Sequence, residues 1–388
     1  MKLRRSLRKI KNLMPSNQAQ QNIPKGWKVT KLGDIVSVTT GSRDANHGSS
    51  DGAYPFFTCA QKVSKIDDYS FDTEAVLIAG NGDFNVKYYK GKFDAYQRTY
   101  VLSDFEGTTG NFIYHKAKQA LGNIVRNNQG SSVKFIKKGD LTDYELFLPP
   151  VEEQQKIADV LGAVDEEIEK TKEVIKATEK LKKGLMQQLF SEGEIVKLED
   201  IAEVSTGKTP NRSNKKSYEN GSVPWVKSTE VRFGVIKDTS EKITEEAVES
   251  ENMRVIPKNS VLVAMYGQGI TRGKSAILGC DATTNQAIAA ITPDHEKLST
   301  TYLFYWLMSQ YENLRNLGHG GNQKNLNSRI IKSLNVPVCA PRRQKEISEI
   351  LLAVDEKIAV NKKILAKQTK LKKGLMQDLL SGVKRVKI

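Results

Sequence analysis

The sequence predicts an α+β protein with two mixed α/β domains, separated by two long helices that form an antiparallel coiled coil with pseudo-twofold symmetry. Two repeats lead to this prediction. A helical segment of about 40 residues occurs twice at a fixed offset of 190 residues, and a shorter motif begins each globular segment. Short apolar runs, without a regular alternation of strand and helix, fill the globular segments.

The long repeat covers residues 154–193 and 344–383, and the stretches AVDE and LKKGLMQ are identical in both copies. Apolar residues spaced four and three apart predict a coiled-coil seam in each copy. A shift in this spacing is assumed in the middle of each helix. The predicted seam residues are Ile157, Leu161, Val164, Ile168, Leu181 and Leu185, and, in the second copy, Ile347, Leu351, Val354, Ile358, Leu371 and Leu375.

Most positions outside this seam are charged. A helix in a globular core needs a broader apolar face than these repeats offer. We therefore favour paired rods of roughly 60 Å over the alternative of two long core helices.

The shorter motif reads TKLGDIVSVTTG at Thr30–Gly41 and VKLEDIAEVSTG at Val196–Gly207. Apolar runs bounded by turn residues predict strands after each copy. These runs are Ala75–Gly80, Thr99–Asp104 and Tyr144–Pro150, followed in the second segment by Ser260–Gly267, Asn285–Pro293 and Leu334–Val338. The pattern at Thr301–Leu317 predicts a helix.

The repeats divide the chain into five segments. These are a basic N-terminal segment (1–23), a first α/β domain (24–150), a first long helix (151–192), a second α/β domain (193–340), and a second long helix with a basic tail (341–388). The N-terminal segment has apolar residues at helical spacing, so a packed helix and a frayed tail both stay open.

The net charge of +15 lies mainly at the two ends. Residues 1–33 hold nine Lys or Arg and no acid, and residues 370–388 hold six Lys or Arg and one Asp. Basic ends either aid solubility or add a salt-sensitive attraction to nucleic-acid phosphate. The body between them is close to neutral, so base reading there would need local basic patches.

Composition bounds the class of protein. No apolar run approaches the roughly 20 residues that cross a bilayer, and the N-terminus lacks the apolar stretch of a signal peptide. Cys59, Cys280 and Cys339 are far apart and form no CxxC pair, which predicts neither a disulfide framework nor a zinc site. We expect a cytoplasmic protein.

No catalytic motif emerges. Gly267–Ser275 reads GQGITRGKS and resembles a P-loop, but Gln268 stands where that motif requires glycine. The four histidines lack metal-site spacing, and no nucleophile motif occurs. The sequence therefore predicts no catalytic residue and no metal ligand, and it favours a binding protein.

Four stretches resemble the DNA specificity subunits of type I restriction-modification systems. They are PKGWKVTKLGDIVSVTTG (24–41), LPPVEEQQKIADVLGAVDEEI (148–168), GGNQKNLNSRIIKSLNVPV (320–338), and the second helix copy with its LKKGLMQDLLSG ending. The resemblance spans nearly all of residues 24–388. Two features depart from it: Arg342-Arg343 stands where the first copy has Glu152-Glu153, and a basic extension precedes the first domain.

This resemblance implies that each α/β domain is a target-recognition domain that reads one half of a split DNA target. It implies that the helices set the gap between the halves and bind two methyltransferase subunits, which restriction subunits join. S-adenosylmethionine, ATP and magnesium would belong to those partners, and the chain would need no cofactor. Two such readers are expected to meet half-sites about one helical turn, or ~34 Å, apart.

Base edges are read mainly by Arg, Lys, Asn and Gln side chains. On polar loops we predict DNA contacts by Arg43, Asn81, Lys87 and Arg98 in the first domain and by Lys208, Arg212, Lys227, Arg272, Lys274 and Gln323 in the second. The alternative is that they are ordinary surface groups.

Three other functions stay open at this point. One is an enzyme, either a fused methyltransferase-nuclease or a nucleotide-dependent protein. Another is a coiled-coil scaffold with two protein-binding domains. The third is a specificity subunit that is phase-variable or lacks partners of its own.

Overall fold

The computed structural model describes residues 23–127, 134–267, 270–317 and 325–388. The chain divides into two compact units, the first comprising the chain up to Lys172 together with Ile364–Ile388, and the second Glu173–Lys363. Residues 1–22, which hold nearly all of the predicted N-terminal segment, lie outside the described residues. A helix there stays a prediction.

A six-stranded sheet in the order β2-β7-β5-β6-β3-β4 forms the body of the first unit. Neighbouring strands are antiparallel, except β3 and β6, which are parallel. The strands are β2 (Ser37–Thr40), β3 (Tyr54–Phe57), β4 (Ser64–Ile66), β5 (Phe71–Ala79), β6 (Val86–Ala95) and β7 (Thr99–Ser103). Separately, β1 (Lys28–Lys31) pairs with β8 (Glu145–Leu148) and joins the two ends of the domain.

Helix α1 (Gly110–Asn127) packs against β5 and β6. Phe112 and Ile113 on its inner face are fully buried in the main core of the unit. This helix was not predicted from the sequence, because polar residues and glycines interrupt its apolar positions. A short helix, α2 (Lys138–Thr142), leads into β8.

The second unit contains a five-stranded sheet, β10-β17-β14-β15-β12, and a three-stranded sheet, β13-β11-β16. Its strands are β10 (Ala202–Thr206), β11 (Val223–Val226), β12 (Val235–Ile236), β13 (Lys242–Ile243), β14 (Val261–Ala264), β15 (Ser275–Leu278), β16 (Thr283–Thr284) and β17 (Ile288–Pro293). An antiparallel ribbon of β9 (Glu194–Lys197) and β18 (Asn335–Val338) joins the domain ends. It repeats the role of β1 and β8.

The helix predicted at Thr301–Leu317 is two helices, α5 (Thr300–Ser309) and α6 (Tyr311–Asn316). The break lies at Gln310. The Ser309 hydroxyl donates to the carbonyl of Trp306 at 2.6 Å, and such local bonds compete with the helical ladder. The short helices α4 (Glu245–Ser250) and α7 (Ser328–Lys332) complete the unit.

Both domains place a glycine where no side chain fits. An added Cβ at Gly41 would lie 1.7 Å from the carbonyl oxygen of Ala95, and one at Gly207 would lie 1.8 Å from that of Thr284. These glycines end the two copies of the short motif. The motif is therefore repeated because each domain brings two backbone segments into direct contact at this point.

The long helices are α3 (Val151–Leu189) and α8 (Pro341–Leu380). Each is anchored near its start by a buried glutamine. Gln154 accepts from the Thr108 hydroxyl at 2.7 Å and donates to the Pro149 carbonyl at 2.9 Å. Gln344 accepts from the Ser299 amide at 2.8 Å and donates to the Cys339 carbonyl at 2.9 Å. The glutamine in each repeat thus fixes its helix to the preceding domain.

The seam runs along α3 in steps of four and three without the expected shift. Ile157, Leu161 and Ile168 are buried, and the pattern continues through Thr171, Ile175 and Thr178 to Lys182. The prediction that Leu181 belongs to the seam is wrong, because its side chain is 55% exposed. The aliphatic stem of Lys182 packs at the seam position instead.

Helix α8 follows the same pattern. Ile347, Leu351 and Ile358 are buried. Leu371, predicted in the seam, is 55% exposed, and its neighbour Lys372 takes the seam position. The remaining predicted seam residues are half-buried, namely Val164, Leu185, Val354 and Leu375.

Two ion pairs show that the helices are antiparallel in the second unit, and one further pair joins them in the first. In the second unit Lys182 pairs with Asp355, and Glu179 pairs with Lys362 at 2.8 Å. In the first unit Asp165 pairs with Lys372. Residue numbers therefore rise along α3 as they fall along α8. Of the helices in the described ranges, none is long and apolar enough to span a lipid bilayer.

Candidate nucleic-acid interface

Three predicted DNA contacts of the first unit surround the loop that follows β3. Lys87 donates to the carbonyl of Ala60 at 2.7 Å. The Arg98 carbonyl accepts from the Gly80 amide at 2.8 Å, which places Arg98 beside Asn81. The loop between β5 and β6, the start of β6 and the turn between β6 and β7 thus each supply one polar residue to this region. We call these residues the first-unit cluster (Asn81, Lys87, Arg98).

Lys87 lines a cavity of about 460 Å³ together with Tyr88, Tyr89 and Tyr114. Burial lowers the pKa of the Lys87 ammonium, and its hydrogen bonds to Ala60 and Asn85 hold it at the rim. Arg98 is exposed on the turn between β6 and β7. Of these residues, Arg98 has the most freedom to reach a nucleic-acid chain.

Arg43 also forms contacts inside the domain. Its Nε donates at 3.3 Å to the carboxylate of Asp94, which is fully buried, and its guanidinium lies 3.6 Å from Asp68. Asp94 also accepts from the Ser70 hydroxyl at 2.9 Å. The buried carboxylate needs this positive partner, so Arg43 contributes to the stability of the domain.

Three predicted contacts of the second unit converge on Trp225. The Lys208 carbonyl accepts from the indole nitrogen at 3.0 Å. The Arg212 guanidinium lies 4.7 Å from the Trp225 ring and 4.6 Å from the Tyr218 ring. Lys227 follows two residues after Trp225, at the end of β11. We call this group the second-unit cluster (Lys208, Arg212, Tyr218, Trp225, Lys227).

A carboxylate that the sequence analysis did not select lies at the centre of this cluster. Glu241 accepts from both terminal nitrogens of Arg212, at 2.8 and 3.2 Å, and from the Lys227 ammonium at 2.7 Å. These two cations lower the pKa of Glu241 to about 2. The carboxylate is therefore ionised at neutral pH and offsets part of the positive charge.

Arg272 and Lys274, two further predicted DNA contacts of the second unit, lie on one loop before β15. Arg272 donates to the carbonyl of Arg315 at 3.0 Å, and its Nε is buried without a hydrogen-bond partner. The Lys274 ammonium lies 5.8 Å from the ring of Phe233. Gln323 lies outside the described residues. All ten predicted DNA contacts stay predictions.

The outer faces of the long helices carry repeated apolar residues. Val160, Val174 and Leu181 are 39–55% exposed on α3, and Ile350, Ile364 and Leu371 are 40–55% exposed on α8. Each residue of the first set is 190 positions before its counterpart. We call these residues the outer stripes. Because the same exposed apolar positions recur on both helices, we treat these faces as candidates for binding another protein.

Within the described parts of the chain, no group of three His, Cys, Asp or Glu side chains is placed to hold a metal ion. Three residues of the second-unit region were not selected from the sequence, namely Tyr218, Trp225 and Glu241. Tyr218 and Trp225 could have been noticed as aromatics beside basic residues. Glu241 could not, because 29 residues separate it from Arg212.

The profile of a family described as the type I restriction modification DNA specificity domain matches this sequence twice, at residues 24–177 and 191–369. The chain belongs to that family. Each match contains one α/β domain and part of the long helix that follows it. The family therefore accounts for the repeat as two specificity domains in one chain.

Among relatives of the specificity family, the EcoDI specificity subunit of Escherichia coli is 31% identical over 317 residues, covering 74% of this chain and 71% of that protein. The MjaVIII specificity subunit of Methanocaldococcus jannaschii is 24% identical over 404 residues, covering 94% of each chain. Both relatives match across most of their length.

Solved structures show the same fold. A type I restriction-modification S subunit from M. genitalium has a TM-score of 0.65 and 18% identity, with 95% of this chain and 98% of that chain covered. A chain from a structure of type I restriction-modification complex assembly and conformational transition has a TM-score of 0.59 and 15% identity, with 92% and 98% covered.

Proposed function

We propose that the chain is the DNA sequence-specificity subunit of a type I restriction-modification enzyme and contributes no catalytic residue. The observation that carries this proposal is the presence of two family domains in one chain, each with a group of basic side chains on its polar loops and strand ends. The relatives named above are specificity subunits. A role in specificity agrees with the basic side chains of both clusters.

Each domain reads one half of a split target. The first-unit and second-unit clusters differ in their residues, so the half-sites they recognise differ in sequence. Arginine and lysine bind guanine edges and phosphates, while asparagine and glutamine bind adenine edges. The paired helices set the unread gap between the half-sites.

The outer stripes bind the methyltransferase subunits. Because each apolar position on α3 has a counterpart on α8, the chain offers two similar faces, which suits two copies of one partner. Restriction subunits join that assembly. S-adenosylmethionine, ATP and magnesium belong to the partner subunits in this scheme.

The decisive experiment is methylome sequencing of cells that express the chain with its methyltransferase. We expect methylated adenines in a bipartite motif with a fixed gap. Exchanging residues 193–340 for the corresponding domain of another specificity subunit should change one half of the motif and leave the gap unchanged. A continuous motif, or changes in both halves, would contradict the proposal.

A second experiment tests the outer stripes. Leu181→Asp on α3 and Leu371→Asp on α8 should each weaken methyltransferase binding. Glu173→Asp, on α3 but outside the outer stripe, is the control. Stoichiometry by native mass spectrometry should fall from two methyltransferase copies to one in either single variant. Full retention of both copies would exclude the stripes as the docking face.

A further inference from the structure

The second-unit cluster holds two cations on one carboxylate. Arg212 presents both terminal nitrogens to Glu241, at 2.8 and 3.2 Å, and Lys227 adds a third contact at 2.7 Å. A phosphate group accepts hydrogen bonds from arginine in this same two-point manner and from lysine as a point charge. The geometry of the cluster therefore fits a phosphate as well as a carboxylate.

Contacts other than Glu241 fix the Arg212 guanidinium and the backbone of Lys227. The guanidinium of Arg212 lies on the rings of Tyr218 and Trp225, and Trp225 is almost fully buried. The backbone amide of Lys227 is bound by the Glu230 carboxylate at 2.9 Å. Without the Glu241 carboxylate, the Arg212 guanidinium would stay on the two rings, and the fixed backbone of Lys227 would keep its ammonium within reach of another anion.

The carboxylate also has room to leave. The Glu241 side chain is 33% exposed, and that of Arg212 is 51% exposed. Ion pairs at such exposed sites are individually weak, typically about 0.2–1 kcal/mol. A DNA strand with many phosphates can displace a group that is held this weakly.

We propose that the carboxylate of Glu241 occupies the place of a DNA phosphate, and that Arg212 and Lys227 exchange it for a backbone phosphate when duplex DNA binds. This inference rests on the proposed function. Glu241 is then an internal competitor, which lowers affinity for any duplex that cannot complete the remaining contacts. Glu241 thereby lowers the affinity of the second domain for DNA of random sequence.

The exchange predicts a change in salt dependence. Each cation that binds a phosphate contributes a slope of about −0.9 in log affinity against log salt. Random duplex DNA cannot complete the remaining contacts, so in the wild type Arg212 and Lys227 stay on Glu241 and contribute little to this slope. Glu241→Gln frees both cations, so the slope should steepen by about 0.9 for each one that then binds a phosphate. Affinity for random duplex DNA should rise about fivefold, the equivalent of about 1 kcal/mol.

The test uses the full chain with its methyltransferase and a random-sequence duplex, titrated at several salt concentrations. Glu203→Gln is the matched control, because Glu203 forms a similar exposed two-point pair with Arg254 in the same unit. The control should leave the slope unchanged. Lys227→Gln added to Glu241→Gln should return the slope by about 0.9.

Four outcomes are distinguishable. A steeper slope in Glu241→Gln alone supports the exchange. An unchanged slope with a lowered melting temperature would mean that Glu241 only stabilises the domain. That result would overturn the inference but not the proposed function. Equal slope changes in both variants would indicate a general charge effect and also overturn it. Absence of duplex binding by every form would overturn both proposals.

The wild-type protein offers a check that needs no variant. In a structure of the assembly on its target duplex, a phosphate oxygen should lie within hydrogen-bond distance of Arg212 and Lys227. The Glu241 carboxylate should have moved away from both. An intact Arg212–Glu241 pair in that complex would contradict the exchange.

Discussion

The ammonium of Lys182 lies 2.7 and 2.8 Å from the two carboxylate oxygens of Asp355, on the opposite helix of the pair. The same contact recurs in the first unit between Lys372 and Asp165, each displaced by 190 residues. The Tyr305 hydroxyl adds a hydrogen bond to Asp355 at 2.8 Å. The positive charge of each of these two seam lysines is therefore paired with an aspartate on the opposite helix.

Removing this lysine should destabilise the second unit. Lys182→Met keeps the aliphatic stem but leaves Asp355 with the Tyr305 hydroxyl alone. We expect a loss of about 1.5–3 kcal/mol in the free energy of unfolding, because the contact is a charged hydrogen bond. Chemical denaturation followed by circular dichroism measures the loss. Adding Asp355→Asn should recover part of it, and no recovery would argue against a direct pair.

The corrected register of the seam predicts contrasting alanine variants. Leu351→Ala removes a fully buried side chain and should cost about 2–5 kcal/mol. Leu371→Ala removes one that is 55% exposed and should change stability by no more than about 0.5 kcal/mol. Thermal unfolding of the two proteins compares them directly. Equal losses of stability in the two variants would mean that Leu371 belongs to the seam, as the sequence predicted.

Acid should destabilise the first unit through His115, which is 2% exposed. Burial, opposed by Asp165 and reinforced by Lys372 and Lys118, lowers the pKa of this histidine from 6.5 to about 4. The unfolded chain then binds more protons between these values. The contribution of neutral His115 to the free energy of unfolding is complete above pH 6.5 and is lost as the pH falls toward 4. The total loss is roughly 3 kcal/mol once the pH is below both pKa values. Denaturation at pH 7, 6 and 5 measures it.

The second unit supplies the control for that prediction. Tyr305 stands 190 residues after His115 in the repeat, and its hydroxyl donates to Asp355, the counterpart of Asp165. His115→Tyr should therefore fold and should lose the histidine part of the pH dependence between 6.5 and 4. If the variant keeps the same pH profile as the wild type, another group causes the effect.

The C-terminal tail should stabilise the first unit through Arg385. Its guanidinium donates to the carboxylate of Glu153, which is fully buried and also accepts from the indole nitrogen of Trp27 at 3.0 Å. Arg385→Gln leaves that buried charge without its cation. We expect a loss of about 2–3 kcal/mol, below the 3–5 of a fully buried pair because Arg385 is partly exposed.

Calorimetry of Arg385→Gln checks this loss. Arg342→Gln is the control, because the Arg342 side chain is 93% exposed and should change stability by no more than about 0.5 kcal/mol. Adding Glu153→Gln to Arg385→Gln should recover much of the loss, since no buried charge then stays unpaired. A loss as small as the control's would mean that the tail is not held by this pair.

Much of the fold could be predicted because the repeats are long and periodic. The regular spacing of Ile157, Leu161 and Ile168 was sufficient to predict a seam, since burial on one helix face requires it. The shift assumed at Leu181 was wrong because hydrophobicity alone favours leucine over lysine at a buried position. Only the neighbouring helix shows that Asp355 compensates Lys182.

The candidate site was predicted less completely. Residue type and loop position were enough to select Arg212 and Lys227, but not the carboxylate that binds them both. Arg43 was selected for the same reason, and the structure shows its guanidinium bound to the buried Asp94. Ion pairs between distant segments depend on the fold that brings them together, and a single sequence does not contain those distances.

The sequence by itself determined that the chain consists of two related halves, each with one α/β domain and one long helix, because repetition and hydrophobic period are local properties of the chain. The tertiary structure alone decided which charged groups face one another. It placed Glu241 between Arg212 and Lys227 and lysine rather than leucine in the seam. The reason is physical: electrostatic interactions act across space between residues far apart in sequence, whereas helical periodicity acts along the chain.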